Sequence, residues 1–303
     1  MTRRFEYVIA PEEGNQKISS YLKGRGYSAH ILTALRHTEG SIFLNGAKVH
    51  MNEMLSSGDR VSVVLIETIS EKVIPTKLPI DIVYEDEDIL VVNKSAGMPS
   101  HPSRGVAETT LGNAVAYYYL EKGEEGIYRC VNRLDKNTSG LTIIAKNALS
   151  GAIMYEQVKS RKVERIYTAI VEGKIVPKSG RIDKPICRAE EGSVLRCVDE
   201  INGQRAVTNY EVIAEGEGIS VVRLHLETGR THQIRVHMSY IGHPLLGDHL
   251  YNPANHDIGR HALHAGAITF THPITGEKMH FETELPEDMQ KTLEKLGTAY
   301  LKT

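Results

Sequence analysis

The stretch "YRCVNRLDKNTSGLTIIAK", residues 128–146, sets a charged, turn-prone segment directly in front of an apolar run. Arg133, Asp135 and Lys136 fall within four residues, and "NTSG" (137–140) follows with turn-forming side chains. "LTIIA" then reads as a buried strand. Such a segment is either a solvated loop with a local Arg–Asp pair or a loop that aims its aspartate into a cleft. Around it, strand-like segments outnumber helical ones and do not repeat a regular βαβ unit. The expectation is an α+β fold with a mixed or antiparallel sheet rather than a doubly wound one.

The chain has 303 residues, enough for one large domain with a small one attached. Residues 1–67 read as a small α/β unit: the strand "RFEYVIA", helices in "QKISSYLKGRGY" and "SAHILTALRHTEG", a hairpin around Asn45-Gly46, and a last strand. Between 17 and 66, six Lys/Arg face three Asp/Glu, a local excess of +3 in a chain of net charge -2. A neutral molecule with a local basic surface is compatible with nucleic acid. Residues 68–80, with two prolines and little periodicity, read as a linker, and 81–303 as the larger domain. Cys130, Cys187 and Cys197 form no CxxC, so a disulfide framework is not expected and the usage suits a reducing compartment. The N-terminus lacks the apolar core of a signal peptide and no apolar run reaches membrane-spanning length, which makes a soluble cytoplasmic protein the expectation.

Several chemistries drop out. There is no GxGxxG, Walker A loop, GxSxG or HExxH. His261 and His264, three apart in "RHALH", lack a third metal ligand in sequence, so structural or substrate-contacting roles are expected and no metal. The densest polar segment is "LETGRTHQIRVHMSYIGHPLLGD", 226–248. Thr231 is placed to cap a helix running to about Ile241, with Ile234, Met238 and Ile241 inward and Gly242 at its end. Arg230 then lies at the helix entrance, where a guanidinium fork suits a carboxylate or a phosphate as well as a structural ion pair. Tyr167, in "RIYTAIVEG", is either a core tyrosine or a ring for stacking on a base.

Together these segments closely resemble the RluA/RluD family of RNA pseudouridine synthases. "NRLDKNTSGLTIIAK" is similar to that family's HRLDxxTSGL motif, "RIYTAIVEG" to its tyrosine motif, and "LETGRTHQIRVHMSYIGHPLLGD" to its arginine motif. "VVNKSAG", "HPS" and "ALHAGAITFTHPITGE" resemble its opening and closing segments, so that the likeness spans roughly 80–290 in order. Residues 1–67 resemble an S4 RNA-binding domain. The resemblance implies the pseudouridine synthase fold, a mixed, mostly antiparallel sheet with a central cleft, and the isomerisation of uridine in RNA without cofactor or metal. By the same resemblance Asp135 is the catalytic aspartate, Tyr167 the active-site tyrosine and Arg230 the salt-bridge partner of Asp135. Arg133 is then a contact for the flipped nucleotide or the RNA backbone, with Lys94 and Arg235 as further candidates for structural or phosphate contact. The implied partner is structured RNA, with 23S-type ribosomal RNA ahead of transfer RNA, acted on by a monomer with no nucleotide cofactor and no membrane attachment.

Three departures stand out. Asn132 occupies the place of the family's usual histidine, and an amide hydrogen-bonds where imidazole also stacks and carries charge. Ser95 stands where the family commonly has proline, and "YSAHI" replaces the usual Ser-Arg pair of the S4-like unit. These departures keep one competing reading in view, a noncatalytic RNA-binding or ribosome-assembly protein.

Overall fold

The computed structural model describes residues 2–67, 73–102, 108–124 and 126–298. The N-terminal unit contains β1 (Thr2–Val8), α1 (Ile18–Gly24), α2 (Ala29–His37), β2 (Ile42–Leu44), β3 (Ala47–Lys48) and β4 (Arg60–Ile66), with its strands in the order β1-β4-β2-β3. Ile18, Tyr21 and Leu22 face inward on α1, and the Ser28 side chain caps α2 by accepting from the Ile31 N–H. Asn45 and Gly46 both have positive φ, which lets a two-residue turn follow the twist of its strands.

This unit is seated on the rest of the molecule. Its core takes in Leu149, from α4 (Ala148–Lys159), and Arg3 pairs with Glu87 and Asp88. Of the expected linker, 68–72 lie outside the described residues. Residues 73–80 form neither helix nor strand and dock on α3 (Leu111–Glu121), with the Ile74 carbonyl accepting from Asn113 Nδ2. On α3 Tyr119 is buried, while the Tyr118 hydroxyl donates to Glu85.

The larger sheet is built from β5 (Ile82–Glu85), β6 (Ile89–Lys94), β7 (Ser139–Ala145), β8 (Glu164–Glu172), β9 (Ser179–Asp183), β12 (Val207–Gly216), β13 (Ile219–Leu226), β14 (Leu263–Thr271) and β15 (Lys278–Glu282). Its order is β5-β6-β7-β14-β8-β13-β12-β9, with β15 beside β14. A separate hairpin, β10 (Ile186–Arg188) and β11 (Arg196–Val198), lies between β9 and β12 in the chain. "ERIYTAIVE" is one unbroken strand, β8.

Among these pairings only β7 and β14 run parallel, and they meet over just two residue pairs, Ser139 with His264 and Gly140 with Ala265. Gly140 has φ +115°, and a Cβ there would stand 2.2 Å from the Ala265 carbonyl oxygen. The "TSG" glycine is therefore the residue that lets the two halves of the sheet touch. β7 has strong apolar character because it is buried along its whole length. One face of β8 and β13 carries Tyr167, Ala169, Val222 and Leu224, packed with Leu134 and with α5 (Gln233–Tyr240). The other face carries Ile170 and Val221 under α6 (Glu287–Lys295).

Candidate active site

Residues 132–138 form the loop that leads into β7, and buried groups from distant parts of the chain fix it. Ser100 binds Leu134 twice: its hydroxyl donates to the Leu134 carbonyl at 2.8 Å and accepts from the Leu134 N–H at 3.1 Å. Lys94 is 1% exposed, and its Nζ donates to the carbonyls of Ser95, Met98 and Lys136. Burial pushes this ammonium down to about 7, against the pull of Asp135. Arg260 donates to the Asn137 carbonyl while gripping Asp288 with both arms, and Thr138 Oγ1 pairs with His261 Nε2 at 2.8 Å. Lys94 is thus a loop clamp with no route to a phosphate in this state.

Asn132 has a structural part. Its Nδ2 donates to the Leu141 carbonyl at 3.0 Å and its Oδ1 accepts from the Ile143 N–H at 2.9 Å. The amide thereby copies the hydrogen-bond pattern of a neighbouring strand along β7. This explains why an amide serves at the position: it offers one donor and one acceptor to a buried backbone edge.

Asp135 is partly open, its side chain 28% exposed, and the groups near it converge on Oδ2. Arg235 Nη1 approaches Oδ2 at 3.4 Å and His232 Nε2 at 3.9 Å. Among the described residues Oδ1 makes no hydrogen bond, so one oxygen is held and the other is left open. The ion pair expected from Arg230 is therefore made by Arg235. Arg230 is exposed, and its Nε donates to the Arg205 carbonyl at 3.2 Å.

The reason is the helix start. The sequence favoured a Thr231 cap, but the helix begins at Gln233, after His232 in the left-handed region at φ 57°. The Gln233 side chain closes this turn by accepting from Thr228 Oγ1 and the Arg230 N–H. Arg230 is left outside the helix, and Arg235 sits on its buried side at 6% exposure. Asp248 holds Arg235 in a two-pronged grip, with Nε and Nη2 each 2.7 Å from a carboxylate oxygen, and leaves Nη1 for Asp135. Burial alone would raise the Asp248 carboxyl, but the Arg235 hydrogen bonds keep it below its usual range. Tyr251 lies under the Arg235 guanidinium, 5.1 Å from it, and its hydroxyl pairs with His232 Nδ1.

Tyr167 is 5% exposed on the cleft face of β8, and burial raises its hydroxyl with Asp135 adding to the shift, so the ring is a neutral phenol. Arg133 is exposed beside the loop. Asp248, His232, Tyr251, Ser100 and Arg260 were missed by reading the sequence. Asp248 left one trace, as the lone carboxylate after the apolar "PLLG". His264, with Ser139 and Thr283 on its two nitrogens, is a fully partnered structural histidine.

Known proteins resemble this chain closely. Residues 88–240 match the family model described as RNA pseudouridylate synthase. An uncharacterised RNA pseudouridine synthase of Bacillus subtilis, YjbO, is 39% identical over 277 residues, 91% of this chain and 98% of its own length. The ribosomal large subunit pseudouridine synthase D of Zymomonas mobilis is 42% identical over 230 residues, 71% of this chain and 72% of its own. The solved structure of human RNA pseudouridylate synthase domain containing 4 superposes with a TM-score of 0.59 at 26% identity, over 73% of this chain and 94% of that one.

Proposed function

Because this chain belongs to the RNA pseudouridylate synthase family, we propose that it converts chosen uridines of large-subunit ribosomal RNA to pseudouridine, with Asp135 acting on the ribose. The observation that carries the role of Asp135 is its half-held carboxylate. Arg235, itself locked by Asp248, orients the group through one oxygen, while no hydrogen bond among the described residues holds the other.

The reaction breaks the N1–C1′ bond, turns the uracil and joins C5 to C1′. The free oxygen of Asp135 serves either as nucleophile at C1′ or as base toward the C2′ proton. Both routes need the uridine out of its stack and inside the cleft. There Tyr167, buried beside Leu134 before RNA binds, serves as the ring that meets the base, with a neutral hydroxyl. Arg133, Arg230 and Arg205 are exposed near the rim and suit phosphates. Residues 2–66 serve as an S4-like RNA-holding unit, and the enzyme acts as a cytoplasmic monomer; among the described residues no helix is long and apolar enough to cross a membrane.

The ribosomal target rests on the relatives named ribosomal large subunit pseudouridine synthase D. Transcriptome-wide pseudouridine mapping in a deletion strain tests both parts. Sites in large-subunit RNA should vanish, return with the wild-type chain and stay absent with Asp135→Asn. Sites lost only from transfer RNA would overturn the target, and full rescue by Asp135→Asn would overturn the role of the carboxylate.

A further inference from the structure

Beyond the uridine site, we propose that Cys187 and Cys197 form a reversible dithiol–disulfide site, oxidised by hydrogen peroxide, that cross-links the β10–β11 hairpin. The two residues are direct partners across the antiparallel pair, and their sulfurs lie 3.5 Å apart. Paired residues on antiparallel strands have Cα atoms about 4.5–5.5 Å apart, inside the roughly 4.4–6.8 Å that a disulfide spans. The pairing is therefore compatible with closure.

Access follows from strand alternation. The neighbouring pair, Ile186 and Val198, packs with Ala206, Val236 and Tyr251, which turns the cysteines to the outer face. Both are half-buried free thiols. Cys187 Sγ also lies 3.6 Å from Asp199 Oδ2. Its hydrogen bond with Cys197 pushes the Cys187 thiol up to about 11.

The chemistry balances with one peroxide. The thiolate of one cysteine attacks a peroxide oxygen, the O–O bond breaks, and hydroxide leaves a sulfenic acid behind. The sulfur of the other then displaces the sulfenic hydroxyl, and the thiol protons leave in the water formed. Two thiols and one hydrogen peroxide give one disulfide and two waters. A small dithiol reductant reverses the bond.

The hairpin borders the uridine site. The Arg196 N–H donates to the Tyr251 hydroxyl at 2.9 Å, and that hydroxyl pairs with His232, the neighbour of Asp135. Closing the disulfide pins the strand that carries this N–H.

The test uses the full-length reduced protein, treated with hydrogen peroxide, then alkylated and mapped by mass spectrometry. The expected product is a peptide pair joining Cys187 to Cys197, two hydrogens lighter, with Cys130 still alkylated and the link lost on dithiothreitol. In Cys187→Ser, Cys197 should instead be trapped as a sulfenic acid by dimedone. Amide exchange over 186–198 should slow on oxidation in the wild type and not in Cys197→Ser. Unchanged alkylation of both cysteines, or links only between chains or to Cys130, would overturn the proposal.

Discussion

The two sides of the cleft reach rigidity by opposite means. The loop at 132–138 is polar and irregular, and residues as far away as Ser100, Lys94, Arg260 and His261 hold it. The segment at 228–235 closes its own turn, through Gln233 and a left-handed His232, and Arg230 and Gln233 tie that turn to residues 205–208. Arg235 on that side takes its direction from Asp248. Self-held turns place the backbone, whereas the reacting group and its ion-pair partner are both positioned from outside.

The sharpest break of this contrast sets two arginines of one motif against each other. Arg235→Lys keeps the charge but cannot fork onto Asp248 while reaching Asp135, so kcat should fall about 100-fold. Arg230→Ala should leave kcat within roughly threefold and raise KM for RNA, because its loss removes an exposed cation. Steady-state kinetics on one RNA substrate decides it; equal losses of kcat would restore Arg230 to the ion pair. Next, Asp248→Asn keeps the shape of the grip without its charge. A loss of about tenfold in kcat, or ~1.4 kcal/mol, is expected, with KM for RNA little changed. A mutant as active as wild type would show that Arg235 needs no outside hold.

Acid should test the buried supports of the loop. Burial lowers His261 to about 3 and His264 to about 4, both below the ordinary 6.5. The unfolded chain then takes up protons that the native state refuses, so stability falls as pH drops from about 6.5 toward 4. Each histidine contributes up to ~1.4 kcal/mol per pH unit in that window. Urea midpoints against pH should show the slope, and His264→Gln should reduce it. A flat profile would mean these rings titrate normally. The smallest effect on rate belongs to Asn132→Ala, which strands one N–H and one carbonyl of β7. It should cost about 1–3 kcal/mol of stability with kcat within roughly threefold. A large loss of kcat at full stability would give Asn132 a part in catalysis.

What the sequence made legible was local. "NTSGLTIIA" announced a turn and a buried strand, and the hairpins and helices of the N-terminal unit followed from Asn-Gly, Ser28 and apolar spacing. The error over Arg230 had a local cause as well: periodicity cannot reveal that His232 adopts positive φ and delays the helix. Asp248, Arg260 and Ser100 were hidden for a different reason. Their meaning lies in contacts across 13, 123 and 34 residues, which no spacing rule encodes.

The parallel touch between β7 and β14 has a consequence for synthesis. It joins Ser139 to His264, so about two-fifths of the chain is made between the two partners. A ribosome that has produced Asp135 has yet to produce Arg235, Asp248, Arg260 and His261. The growing chain carries its carboxylate on a loop that nothing yet holds, beside a strand edge waiting for its neighbour. Competence to act on RNA therefore arrives late and all at once, when the last third of the polypeptide emerges and closes the sheet.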